Sequence, residues 1–194
     1  MNDVGAFPPG RYLAVSTRWT RACAIRLDRT LICWGNPEGS MTHSPSGLFQ
    51  DVSVGPSHVC AIRADGTLAC WGERNAYGQA SPPPGRFVQI SSGALMSCAR
   101  NADNRVACWG AKESFRSIHN RQAHSVHAGW KHTCVIELDG TLSCAGTDDD
   151  FSHPPPGRFV QMDMGVGHAC ALRADGTVAC WGRDEHGETK PPGG

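Results

Sequence analysis

The chain lacks most of what marks a nucleic-acid, membrane or catalytic protein. It has no charge surplus, with Lys+Arg and Asp+Glu both at 18. Nucleic-acid binders normally carry a basic excess and membrane-surface binders a basic amphipathic stretch, so no nucleic-acid and no membrane partner is expected. No apolar run approaches the ~18 residues of a membrane span. Helical periodicity with caps is missing. There is no GxSxG elbow, no HExxH, no phosphate loop and no dinucleotide fingerprint, so no catalytic set, metal or cofactor is read from motifs. The opening residues MNDVGAFPPG show no basic stretch followed by an apolar one, so no secretory leader is visible there. On that reading the chain either stays inside the cell or is separated from a leader.

What is present is turn chemistry, tryptophan and cysteine: 23 Gly, 13 Pro, 10 Cys and six Trp against two Tyr. These residues recur with a period. The first cysteines of five similar units lie at 23, 60, 98, 134 and 170, in steps of 37, 38, 36 and 36. The units run approximately over 8–44, 45–82, 83–119, 120–154 and 155–194 of one domain, 1–194. A period of this length is the signature of a repeat architecture.

Within a unit the pattern is β. The run CAIRADGTLACWG is two short apolar stretches about a DG turn, which predicts a hairpin. Its three-residue loop is Ala64, Asp65 and Gly66, with Gly66 supplying the left-handed conformation. Asn104 and Arg29 hold that position in units three and one; Asn tolerates it, and Arg29 is the costly exception. A strand such as Phe87–Ser91 precedes the hairpin, and a polar turn, a short segment and a Pro-Pro-Gly break follow it. The expectation is three strands per unit with room for a short fourth. Alternation puts His58, Cys60, Ile62, Leu68 and Cys70 on one face, and Val59, Ala61, Ala69 and Trp71 on the other. Both faces are apolar or small, so each sheet should be sandwiched between neighbours. A ring of radially stacked sheets does this and protects the edges; a row of stacked units with caps is the alternative, though neither end shows a polar cap. The expected fold class is all-β, a β-propeller of five repeats with antiparallel three- to four-stranded blades.

The cysteines form five pairs spaced by ten: Cys23/Cys33, Cys60/Cys70, Cys98/Cys108, Cys134/Cys144 and Cys170/Cys180. Counting outward from the loop makes 63/67 hydrogen-bonded, 62/68 not, 61/69 hydrogen-bonded and 60/70 not. Residues in a non-hydrogen-bonded pair approach to ~4.5 Å between Cα atoms, within reach of a disulfide. Each bridge would add ~3 kcal/mol by chain entropy. Buried free thiols are the second reading and zinc the third, though each hairpin offers two sulfurs where zinc takes four ligands. Disulfides imply an oxidising compartment, extracellular or periplasmic.

The pattern carried by Phe49, Val52, Ser53, Gly55, His58, Cys60, Asp65, Gly66, Thr67, Leu68, Trp71, Gly72, Asn75, Gly78 and Gln79 resembles the regulator-of-chromosome-condensation repeat. It is most similar to a bacterial short-repeat branch that includes a secreted β-lactamase inhibitor. The resemblance implies a propeller whose loops bind other proteins. The founder's nucleotide-exchange and chromatin activities are not carried over, since nothing here matches its exchange surface. Such propellers usually have seven blades. Five units leave a ring closed at five, a piece of a longer ring, or arcs that self-associate. The in-phase join of Pro191-Pro192-Gly193 with Pro8-Pro9-Gly10 favours closure, with the N-terminal strand completing the last sheet.

Two positions before the first cysteine stand His58, His132 and His168, with Arg21 and Met96 in the other units. The resemblance favours a ring that bonds neighbouring backbone over a metal ligand. The segment just before each hairpin varies most between units. It carries Arg18 and Trp19 in unit one, Pro56 and Ser57 in unit two, Leu95 and Met96 in unit three, and Trp130 and Lys131 in unit four. These segments should emerge on one rim, where aromatics and Arg anchor protein interfaces; the structural alternative is that Trp19 and Trp130 plug the core. Tyr77, Phe115 and Phe151, on the loops after the CWG triplet, extend that surface. Trp34, Trp71, Trp109 and Trp181 read as core, and Asp148-Asp149-Asp150 as a solvated acidic turn rather than a calcium loop. The functional expectation is a non-catalytic protein-binding scaffold, an inhibitor or recognition module using one rim. A lectin-like propeller and a hydrolase with its site at the channel mouth are the alternatives.

Overall fold

Each unit folds into its own sheet because its three strands are contiguous and joined by turns the sequence specifies. The computed structural model describes residues 9–35, 42–147 and 153–191. The first sheet comprises β1 (Tyr12–Arg18), β2 (Arg21–Arg26) and β3 (Leu31–Gly35). The second is β4 (Phe49–Val54), β5 (His58–Arg63) and β6 (Leu68–Gly72), and the third β7 (Gln89–Ser92), β8 (Met96–Arg100) and β9 (Val106–Gly110). The fourth is β10 (Ala123–Ala128), β11 (His132–Glu137) and β12 (Leu142–Gly146), and the fifth β13 (Phe159–Met164), β14 (His168–Arg173) and β15 (Val178–Gly182). Every sheet is an antiparallel meander in sequence order, so the five blades have three strands each among the described residues. Among the described residues no blade has a fourth strand, and in unit three a short 3-10 helix, Lys112–Ser114, follows the hairpin. Strand β1 pairs with β2 and does not complete the last sheet. Pro8, Pro192, Gly193, the Asp148–Asp150 turn and Phe151 lie outside the described residues.

The hairpin turns follow from Asp-X-Thr. The Asp65 carboxylate accepts from the backbone amide (2.9 Å) and hydroxyl (2.7 Å) of Thr67. Asp28, Asp139 and Asp175 do the same with Thr30, Thr141 and Thr177. The threonine hydroxyl and amide hold all four carboxyls below the usual carboxylate range. The third loop residue is left-handed everywhere, at Gly66 (φ 88°), Asn104 (φ 64°) and Arg29 (φ 68°) among others.

The register sets the two cysteines of each hairpin directly opposite one another. All ten are oxidised, as Cys23–Cys33, Cys60–Cys70, Cys98–Cys108, Cys134–Cys144 and Cys170–Cys180, with Cα separations of 4.0–4.1 Å. Disulfides are therefore the outcome among the three readings. In three bridges the ends are unequally enclosed: Cys23, Cys60 and Cys134, on the middle strands, are buried and Cys33, Cys70 and Cys144, on the outer strands, are half-buried, while Cys98–Cys108 is buried at both ends and Cys170–Cys180 half-buried at both. The reading of all ten as buried small hydrophobes fails at these outer positions, because the third strand lies at the sheet edge where the neighbouring blade covers less of it.

Sheets pack face to face in chain order. The cystine face of sheet one, with Cys23, Ile25 and Leu31, meets Phe49, Val52, Val59 and Ala61 of sheet two. The same arrangement repeats between two and three, three and four, and four and five. Trp71, Trp109 and Trp181 sit in these interfaces, as core. Trp34, at the same position of the first sheet, is half-buried and joins none of these clusters. Hydrogen bonds stitch the inner strands: Ser16, Ser53 and Ser91 hydroxyls accept from the amides of Val54, Ser92 and Ala128 of the next blade. His127 and Asp163 take the corresponding positions in blades four and five. All five inner strands line a narrow polar channel of about 140 Å³. Among the described residues no apolar cluster joins the fifth sheet to the first.

Candidate protein-binding rim

The segment between the first and second strand of each blade is a tight turn beside the next blade. A Cβ on Gly55 would stand 2.6 Å from the carbonyl oxygen of Gly93, so glycine is required where the neighbour's backbone approaches. The residue after that glycine position is Trp19, Pro56, Ala94, Trp130 and Val166 in the five units. Repetition thus raises five apolar side chains around one mouth of the channel.

Four of them line a cavity of about 550 Å³, together with Ser57, Glu73, Arg74, Ala76, Tyr77, Gln79 and Leu95. Trp19 and Trp130, from blades one and four, meet with ring centroids 5.4 Å apart. Trp19 is 67% exposed and its backbone is left-handed (φ 52°). A bulky aromatic held in that region is a strained arrangement of the kind concentrated at binding sites. Tyr77 is 56% exposed on the same wall. Trp19 and Tyr77 are presented to solvent while Trp130 is half-buried, so Trp19 does not serve as a core plug.

The loop that presents Tyr77 is held from within. Gln79 is buried; its amide donates to the Arg74 carbonyl (2.9 Å), and its side-chain oxygen accepts from the Tyr77 amide (3.0 Å). The Asn75 side chain accepts from the Ala80 amide (2.8 Å). The Gln79 carbonyl accepts from Trp109 Nε1 (2.8 Å), tying the loop to blade three. These bonds give the Asn75–Gly78–Gln79 pattern its role. Unit five repeats the design with Asp184, Gly187 and Glu188. Arg21 donates to Glu73 at 2.9 Å across blades one and two, neutralising the carboxylate that lines the cavity.

Other expected residues fall elsewhere. Met96 is fully buried, since it occupies the register position of His58 and His132 and points into the interface with blade four; Leu95, one residue earlier, lines the cavity. Phe115 is 6% exposed and packs with Ile118 between blades three and four, so it is chiefly core rather than contact surface. Its ring also borders a second cavity of about 560 Å³, lined by Tyr77, Trp109, Lys112, Arg116 and His119. Arg18 lines the polar channel and does not line the aromatic cavity; Lys131 lines neither. Sequence reasoning missed Arg74, and around Phe115 it missed Lys112, Arg116 and His119, whose segment has no counterpart among the other units.

His58 bonds a side chain rather than backbone: its Nε2 lies 2.6 Å from the Ser97 hydroxyl of the next blade. Burial lowers its pKa to about 4, keeping the ring neutral. Burial also lowers His127, in the channel wall, to about 4, with Asp163 pulling the other way. Among the described residues no three His, Cys, Asp or Glu side chains gather to hold a metal ion, and no helix is long and apolar enough to cross a membrane.

The sequence model of the regulator of chromosome condensation (RCC1) repeat matches residues 49–79 and 159–188. No curated protein sequence matches the chain. Among solved structures, the chain is similar to the CRINKLY WD40 ectodomain of the Arabidopsis thaliana receptor kinase ACR4, at 24% identity and TM-score 0.73, covering 89% of this chain and 66% of that one. The ectodomain of the Physcomitrella patens receptor kinase CR4 aligns at 23% identity and TM-score 0.74, covering 88% and 50%. Yeast RCC1 (Prp20) aligns at 16% identity and TM-score 0.70, covering 86% and 55%. The chain thus spans between half and two thirds of the length of these structures. At such identities the likeness is one of fold, a β-propeller, and two of the five units match the RCC1 repeat model.

Proposed function

We propose that the chain is a non-catalytic recognition module that grips another protein with the rim bearing Trp19, Trp130, Tyr77 and Leu95. The observation that carries this reading is the exposed, strained Trp19 meeting Trp130 over an aromatic-lined cavity. Rigid aromatics around a pocket are what dominate binding energy at protein interfaces. The rim differs from unit to unit, which suits one asymmetric partner better than repeated identical ligands. Propellers of like fold engage proteins: yeast RCC1 was solved bound to Kap60, and Prp20p was characterised for binding to Gsp1p and histones. Five disulfides support folding in an oxidising compartment, extracellular or periplasmic.

The test is affinity capture from the source secretome and extract with the wild-type chain and with Trp19→Ala/Trp130→Ala, followed by titration of whatever the wild type alone retains. Each single substitution should weaken that partner by more than ~10-fold. Equal retention by the double variant would overturn the rim assignment.

A further inference from the structure

The two rim cavities share one wall. Tyr77 lines both the Trp19–Trp130 cavity and the one bounded by Trp109, Phe115, Lys112, Arg116 and His119. Joined at Tyr77, they would make one trough from the Trp19–Trp130 seat to the Trp109 side of blade three. Its inner half sets Trp19, Trp130, Leu95 and Tyr77 beside Glu73 and Arg74. Its charge is one-sided: Arg74, Lys112 and Arg116 line it, and among the described residues none of the three has an acidic partner. The one carboxylate in its wall, Glu73, is bonded to Arg21. Glu113, next to Lys112 in sequence, does not line it. His119 accepts the Cys108 amide at Nδ1 (3.1 Å), which leaves Nε2 as the ring's donor. A chain with no net charge therefore concentrates donors and cations along a single groove.

Resting on the rim reading above, we propose that this trough takes an extended peptide segment of the partner, with a bulky apolar side chain seated among Trp19, Trp130, Leu95 and Tyr77 and acidic side chains against Arg74, Lys112 and Arg116. Complementary charge would steer and orient the segment, while the aromatic seat would hold it. Three dispersed cations beside an aromatic seat fit carboxylates better than a continuous phosphate backbone, which calls for a basic stripe.

The test is selection of a phage-displayed random peptide library on the intact chain, followed by titration of the enriched peptides and of single-stranded oligo(dT) by fluorescence anisotropy. The enriched peptides are expected to combine an aromatic or large aliphatic residue with acidic residues on one side of it. Lys112→Ala/Arg116→Ala should weaken them by ~10-fold, with the loss shrinking at high salt. Arg158→Ala, an exposed cation beside the Gly140 turn, serves as control and should leave binding unchanged. Peptides without acidic bias, or unaffected by the Lys112/Arg116 pair yet lost with Trp19→Ala, would overturn the trough and leave the rim reading standing. Indifference to Trp19→Ala would remove both, and no enrichment would overturn the trough alone. Oligo(dT) binding as tight as the best peptide would replace the proposed occupant with nucleic acid.

Discussion

The three middle sheets and the two end sheets share one sequence pattern and live in different surroundings. Val52, Ile90, Val126 and Met162 stand at equivalent points of their inner strands, 5%, 6%, 0% and 4% exposed; Val15, at that point of the first sheet, is 65% exposed. On the opposite face, Val106 of the third sheet is 1% exposed and its equivalent Val178 of the fifth 43%. His58 and His132 are buried where His168 is half-buried. The inner-strand positions are apolar throughout, so burial here comes from having a neighbouring sheet. Cohesion in such a stack is a sum of interfaces, and among the described residues an end sheet shares in one apolar cluster where a middle sheet shares in two.

Acid should expose the largest difference. His58 is neutral in the folded chain at a pKa of about 4 against 6.5 for an ordinary histidine. The unfolded chain therefore takes up its proton first as pH falls. The stability contributed above pH 6.5 is lost on the way down to about 4, by as much as ~3 kcal/mol. Urea titrations from pH 7 to 4 should show that decline, and His58→Gln should shrink it, with His127, also lowered to about 4, carrying the remainder; an unchanged slope would mean the second sheet opens independently of the bond to Ser97. Next in size, Val126→Ala should destabilise by ~2 kcal/mol, while Val15→Ala should stay within ~0.5 kcal/mol. Hydrogen exchange of each sheet is the readout, and similar losses would show that the first sheet is covered in solution. The smallest effect separates two turns of the same shape. Arg29 sits at φ 68° where Gly66 sits at φ 88°. Arg29→Gly should raise the melting temperature, with a gain of ~1 kcal/mol, and Gly66→Ala should lower it.

Much of this was legible in the sequence because the determinants are local. The Ala64-Asp65-Gly66 loop fixes the hairpin register, the register puts Cys60 opposite Cys70, and alternation assigns Trp71, Trp109 and Trp181 to interfaces. The same count places Cys33, Cys144 and Cys180 opposite their partners, while their partial exposure depends on the neighbouring blade and is not written in the hairpin. The rim was legible only in part. That Trp19 meets Trp130 across three units depends on how successive sheets turn about the axis, which no single repeat encodes. Met96 was misplaced for a local reason: aligned by register with His58, it belongs to the interface, and the rim position is Leu95. Phe115 was misplaced because its loop departs from the Asn-Gly-Gln design and folds inward with Ile118. The cations of the outer cavity went unnoticed for the same reason, since a segment without counterparts offers no repeat to compare.

Every covalent cross-link begins and ends inside its own repeat, ten positions from first cysteine to second. Duplicating or deleting a whole unit therefore never strands an odd thiol, and an oxidant working on the nascent chain meets each correct partner before the next unit has emerged. Such a polypeptide can change its number of blades, or exchange one bearing a useful loop, without renegotiating its redox chemistry.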